Sequence, residues 1–347
     1  MPRSATGHPR RLGYAAVVAV LCALAAAVLT CTAHPAAAAD NGRWAVAPTA
    51  SKLGERPYFF LMADPGTTLH DKAVVTNKTA TPMTFRLYAA DAYNTVRDGG
   101  FAVRGPGEKQ RGIGAWTRTR SPRVTVPARS TRTVPFTLTV PRGAEPGDHP
   151  GAIVALDERT EQAAGKGDLS VGVRRAVGAR IYLRVGGPTV TGLSVEDVRV
   201  THRQPLVPGT GSSSAVISYT LRNRGTVTLN PRVRLKATGL FGRTLLSRDL
   251  RGIPTELLPH QKVRLTERWA DAPQADRGDV TLTATARDVR ESGSTSFWAL
   301  PWLVAAVLLA AVLAGVSAVI VRRRRRHRPA PARSARREPR VKVSGRP

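Results

Sequence analysis

Cysteine is nearly missing: Cys22 and Cys31 are the two in 347 residues, and both precede residue 40. The remainder of the chain has no disulfide, no thiol nucleophile and no cysteine knuckle for zinc. It must be held by its apolar core alone, which about 125 residues per domain can supply. Histidine is thin as well. Between Asp40 and Ser296 there are His70, His149, His202 and His260, far apart in sequence and near turns. No HExxH, GxSxG elbow, P-loop or dinucleotide fingerprint occurs. Asp157 and Glu158 are adjacent, so on a strand they point to opposite faces. A glycosidase pair needs its carboxyls roughly 5–10 Å apart across one cleft. These absences argue against an enzyme and against any metal or organic cofactor.

Acidic residues are also short, 24 against 53 lysines and arginines, for a formal net charge of +29. Lysine supplies only eight of the 53. An arginine bias alongside many alanines, glycines and prolines reads as a GC-rich bacterial genome rather than a special ligand. The excess is unevenly placed. Arg3, Arg10 and Arg11 precede the first apolar stretch, and twelve basic residues against Glu338 lie from Arg322 onward.

Those charges flank two long apolar runs. Tyr14–Thr30 is followed by "HPAAAAD", with Ala37 and Ala39 forming an A-x-A site and cleavage expected before Asp40. Residues 1–39 therefore read as a signal peptide. The second run, Phe297–Val321, is uncharged for 25 residues, more than the about 20 that cross a bilayer. Trp298 and Trp302 sit at its outer end as interfacial aromatics, and Arg322, Arg323, Arg324, Arg325 and Arg326 follow it. Five arginines after an apolar span place the C-terminus in the cytoplasm. The expectation is a single-pass cell-membrane protein with an exported ectodomain from Asp40 to Ser296. Its tail, 322–347, is basic and poor in apolar residues, which predicts disorder.

Helical periodicity is scarce in the ectodomain, and alternation with period two takes its place. Val134, Phe136, Leu138 and Val140 alternate with polar residues or proline, as do Val177, Ala179, Ile181, Leu183 and Val185. Ile217, Tyr219 and Leu221 repeat the pattern, and so do Val233 and Leu235. Turn clusters such as Pro65-Gly66, Asp98-Gly99-Gly100 and Asn223-Arg224-Gly225 separate the runs. Apolar-in, polar-out strands at this spacing predict an all-β ectodomain of two tandem immunoglobulin-like β-sandwiches. The break is expected at Gly186-Gly187-Pro188, giving domains 40–187 and 188–296. "VVTNKTATPMTFRL" and "YTLRNRGTVTLNPRVRL" share a strand, an Asn-centred turn and a strand, suggesting one hairpin position in both domains. Asn77 lies in a sequon, but its turn position favours local side-chain hydrogen bonds. Val75 and Phe85 beside it are expected in the core. Glu158–Asp168 is polar and rich in glycine and alanine, and is expected as a loop.

Tyr58–Thr95, "YFFLMADPGTTLHDKAVVTNKTATPMTFRLYAADAYNT", resembles the N-terminal domain of WxL-interacting proteins, their peptidoglycan-binding domain. The phrases at Val124–Val154 and Val177–Gly187 continue the resemblance in the same order, so that it covers about Asn41 to Gly187. It implies an immunoglobulin-like domain that contacts the cell wall, followed by a second sandwich, a membrane helix and a short basic tail. It also implies a WxL partner. The phrases of 188–296, among them "LLPHQKVRLTERW", depart from the partner-holding module.

Aromatic residues make up 5% of the chain, so each can be weighed. Tyr93, Asn94 and Trp116 flank the loop Arg97–Gly114, and Arg118 and Arg120 follow Trp116. These five are the candidate glycan-facing patch, an aromatic beside charge. Wall peptidoglycan or anionic wall polymer is the expected partner, the basic ectodomain assisting contact. Another surface protein, held by sheet-edge contact, is the alternative. Nucleic acid is not expected outside the membrane.

Overall fold

The computed structural model describes residues 40–326, apart from 53, 160, 164–170, 206, 208 and 301. The expected signal peptide with its Ala37 and Ala39 site, and the residues beyond Arg326, lie outside the described residues.

The period-two runs become strands. In the first half these are β1 (Trp44–Pro48), β2 (Phe59–Ala63), β3 (Thr68–Asn77), β4 (Met83–Asn94), β5 (Phe101–Val103), β6 (Thr117–Thr119) and β7 (Arg123–Val126). They continue with β8 (Thr131–Thr139), β9 (Gly147–Asp157), β10 (Glu161–Ala163), β11 (Val171–Val173) and β12 (Ala176–Val185). One sheet has the order β1-β3-β8-β6. The other has β2-β12-β9-β4-β5, with β7 also on β4. β10 and β11 pair antiparallel, so Glu161–Ala163 of the expected loop Glu158–Asp168 is strand. The first strand of the sandwich is split between sheets. β1 pairs antiparallel with β3, while β2 pairs parallel with β12. Pro48 and Pro57 fall at this crossing. Neither has the N–H that would continue a ladder. Trp44, Phe59, Val75, Phe85, Phe136 and Ile181 fill the space between the sheets, with Phe59 edge-on to Phe136 at 5.1 Å.

The second half carries β13 (Leu193–Arg203), β14 (Ser214–Asn223), β15 (Arg232–Thr238), β16 (Thr244–Asp249), β17 (Lys262–Ala270), β18 (Asp276–Ala286) and β19 (Val289–Ala299). Its sheets run β13-β14-β17 and β16-β15-β18-β19 around Ile217, Tyr219, Leu235, Trp269 and Leu282. Among the described residues no strand of one half pairs with a strand of the other. The molecule is all-β, two immunoglobulin-like sandwiches in tandem, with one apolar helix at the end.

The shared Asn phrase has one physical basis in both sandwiches. Asn77 and Asn223 are both fully buried. Asn77 Nδ2 donates to the Thr81 and Val126 carbonyls at 2.8 and 3.1 Å, and its Oδ1 accepts from the Thr79 amide. Asn223 Nδ2 donates to the Val227 and Leu257 carbonyls at 2.7 and 3.0 Å, and its Oδ1 accepts from the Gly225 amide. Each side chain thus ties off backbone groups that a corner would otherwise leave buried and unpaired.

One boundary differs from the expectation. The helix runs Trp302–Arg326, not 297–321, and Phe297–Ala299 complete β19. Pairing of β18 with β19 continues to Asp276 opposite Ala299, and Phe297 packs edge-on to Trp269 at 5.6 Å. Phe297 is apolar because it faces a protein core. The stretch Leu303–Arg324, 22 residues, is long and apolar enough to cross a membrane.

Candidate functional site

Alternation places Arg180, Tyr182 and Arg184 of β12 on the outer face of the six-stranded sheet. Register puts Phe60 beside Tyr182 and Met62 beside Arg184. The Phe60 ring stacks on Tyr182 at 5.4 Å and 13°, and Tyr58 meets Tyr182 edge-on at 5.6 Å. The Arg180 guanidinium lies 4.2 Å above the Phe101 ring and 5.6 Å from that of Tyr58. The result is a continuous aromatic platform with a cation at its centre. Such contacts contribute about 0.5–2 kcal/mol each and fix the rings' orientation.

The platform is anchored from the other sandwich. Glu256 accepts from the Tyr182 hydroxyl at 3.0 Å and pairs with Arg180 at 3.5 Å. Burial, foremost, pushes the Tyr182 hydroxyl up to about 12, so it stays a donor throughout the neutral range. Beyond the platform Phe60 and Met62 turn outward, 66% and 80% exposed. They border a cleft of about 460 Å³ whose walls include Pro150, Tyr182 and Leu183, with Thr228 contributed by the second sandwich. β2 is the last strand of its sheet, and among the described residues no strand lies on its far side. Its five residues, FFLMA, contain no charge and no proline. Natural edges are ordinarily blunted by such residues. An open, apolar edge next to a rigid aromatic surface is chemically suited to an added strand.

The residues expected to face glycan are dispersed. Asn94 is buried, and its burial is a correction to that expectation. Its Nδ2 donates to the Gly99 and Glu256 carbonyls at 2.8 and 2.7 Å, and its Oδ1 accepts from the Leu258 amide at 2.8 Å. It therefore joins the sandwiches and has no polar group left for a ligand. Tyr93 lies beneath the Arg104 guanidinium at 5.8 Å. Trp116 ends a one-turn helix, Ile113–Trp116, half-buried against the core with its ring 4.6 Å from that of His149. Arg118 of β6 and Arg120 just past its end, both exposed, stand at the opposite sheet. There they line a shallow groove of about 400 Å³ with His70 and Lys72.

Two histidines that are distant in sequence do converge. The Glu145 carbonyl is 2.8 Å from His149 Nε2, and its carboxylate is 3.1 Å from His260 Nε2. Among the described residues no three His, Cys, Asp or Glu side chains form a cation site. Sequence reasoning missed Phe60, Met62 and Arg180 as a group. The run Tyr58-Phe59-Phe60 was the available signal, since alternation buries only its middle ring.

No family model matches the chain, and no curated protein matches it. Among solved structures it is similar to the class 5 fimbriae chaperone CfaA, at 9% identity and a TM-score of 0.33, covering 74% of this chain and 99% of that one. It is also similar to the structure of the Salmonella enterica SafA pilin with the SafB chaperone, at 12% identity and a TM-score of 0.30, covering 73% and 96%. A third likeness is to the Pseudomonas aeruginosa CupB2 chaperone, at 9% identity and a TM-score of 0.26, covering 70% and 97%.

Proposed function

We propose that this chain is a non-enzymatic, membrane-anchored cell-surface protein whose first sandwich holds an extended segment of another surface protein along β2. The observation that carries the reading is the open β2 edge, with Phe60 and Met62 turned to solvent beside the Tyr182 platform. An added strand takes its affinity from main-chain hydrogen bonds and its specificity from pockets for alternate side chains. Here the free backbone of β2 offers the first. The 460 Å³ cleft offers the second. Five residues of edge suit a short guest with apolar residues at alternate positions. In this reading residues 1–39 export the protein, the Trp302–Arg326 helix holds it in the membrane and the arginines stay inside. The resemblance of Tyr58–Thr95 to WxL-interacting proteins accords with a surface location.

A second reading, contact with anionic wall polymer, is favoured by the groove lined by Arg118, Arg120, Lys72 and His70. One pair of measurements separates the two. A photo-crosslinking amino acid at Met62 of the full-length protein in its native membrane is expected to yield one discrete protein adduct. That adduct should fall at least tenfold with Phe60→Lys. Protein-free wall is expected to pellet the ectodomain weakly and only at low salt. Strong pelleting abolished by Arg118→Ala and Arg120→Ala, with no adduct at position 62, would establish the polymer reading instead.

A further inference from the structure

At the far end of the second sandwich lies an apolar tip that packing within the chain does not explain. The turn between β15 and β16 reads Gly239-Leu240-Phe241-Gly242-Arg243. Phe241 is fully exposed, and Leu240 beside it is half exposed. Phe241 also has φ at +58°, a left-handed conformation that costs a bulky residue energy. The turn is not slack. The Leu240 amide donates to Asp276 Oδ1 at 3.1 Å, and Arg243 Nη2 donates to Asp276 Oδ2 at 2.9 Å. Asp276 itself is buried, and the amide of Leu240 is the foremost reason its carboxyl stays below the ordinary range. A strained phenylalanine is therefore held out in water by a fixed frame.

What the tip faces follows from the register. Asp276, which holds the tip, is the partner of Ala299, the last residue of β19. Only Leu300 and Pro301 separate Ala299 from the helix at Trp302. Gln204 Nε2 donates to the Leu300 carbonyl at 2.6 Å, fastening the end of β13 to the same exit. Neighbouring strands are roughly 5 Å apart. Two such spacings, β19 to β18 and β18 to β15, bring the tip level with the start of the helix. At this end Trp298 is 59% exposed, with the Arg277 guanidinium 4.9 Å from its ring centre. Aromatic residues favour the bilayer interface, and a basic residue beside them is attracted to anionic headgroups.

We infer that Phe241 and Leu240 insert into the outer interface of the bilayer that the helix crosses, and seat the second sandwich on the lipid at two points. The occupant of this surface is an anionic lipid bilayer, and the inference rests on the reading of Trp302–Arg326 as membrane-spanning. Two contacts, the helix exit and the tip, fix a tilt that a single tether leaves free. The first sandwich is then presented at a set height above the membrane.

The test uses the full chain in a Cys22→Ser, Cys31→Ser background, reconstituted in phosphatidylethanolamine–phosphatidylglycerol vesicles. An environment-sensitive fluorophore is placed at Leu240→Cys, which leaves Phe241 intact, or at Val190→Cys. Val190 precedes β13, at the end away from the helix. Lipids carrying a nitroxide just below the headgroup are expected to quench the label at 240 at least threefold more than the label at 190. Phe241→Asp is expected to reduce quenching at 240 about threefold, toward the level at 190. Equal quenching at the two sites, with the chain resisting carbonate extraction, overturns the seating and leaves the spanning helix intact. Strong quenching at 240 that ignores Phe241→Asp overturns the anchoring role of Phe241. Release of the chain by carbonate overturns both the helix reading and the inference built on it.

Discussion

Asn77 and Asn223 show how one side chain can determine a corner. Each amide makes at least three hydrogen bonds to the backbone, Asn77 donating three and accepting one and Asn223 donating two and accepting one. A buried group left unpaired costs about 1–3 kcal/mol. Asn223→Ala is therefore expected to lower the stability of the ectodomain by about 3 kcal/mol in urea unfolding. A loss below about 1 kcal/mol would mean that water replaces the amide at no cost. His202 gives the second residue-scale prediction. Its ring lies 5.3 Å from Phe297 and 6.4 Å from Trp269, and neither nitrogen has a hydrogen-bond partner among the described residues. Burial holds it below its ordinary 6.5, so the fold prefers the neutral ring. The unfolded chain then binds the proton more readily. The stability that His202 contributes is complete above about pH 6.5 and declines as the pH falls toward the lowered folded value. His202→Phe should flatten that part of the curve of melting temperature against pH. An unchanged slope would exclude His202 as its source.

At the scale of elements, the boundary between β19 and the helix is the sharpest point. Phe297 begins an uncharged run of 25 residues, and a hydrophobicity count assigns it to the membrane. The ladder with β18 assigns it to the sandwich. Both environments accept the same side chain. The difference lies in backbone pairing, which composition does not record. Phe297→Ala is expected to cost about 4 kcal/mol in the isolated ectodomain, residues 40–299, because a core cavity replaces the ring. No such cost would arise if residue 297 stood in lipid. The strands themselves were legible, because alternation is a local property of the chain. Val134, Phe136 and Leu138 are buried in turn, as are Ile217, Tyr219 and Leu221. Short β5 was not legible. Its three residues are too few to show a period, and its pairing with β4 is what makes it a strand.

For the whole molecule, the junction between the sandwiches is the main finding that lay beyond sequence reasoning. Asn94 bridges them, Tyr182 and Arg180 meet Glu256, and the Asp148 amide donates to the Thr226 carbonyl at 2.8 Å. Gly147 is required there, since a Cβ would overlap the Thr226 carbonyl oxygen and its φ is +139°. With so many contacts across the junction the sandwiches are expected to unfold in one calorimetric transition. Asn94→Ala should separate it into two. A single undisturbed transition in the variant would show that the other contacts suffice.

By itself the sequence determined that the chain is built of strands, where its turns fall, which face of each strand is apolar, and that an apolar segment near its end suits a bilayer. All of these are set by residues within a few positions of one another. Only the tertiary structure decided that Asn94 is a joint and not a ligand group, that Phe60 and Met62 stand on an open edge, and that Phe241 lies level with the helix exit. Those assignments depend on partners such as Glu256, 162 residues from Asn94, and on strand register, which brings together segments that no local pattern links.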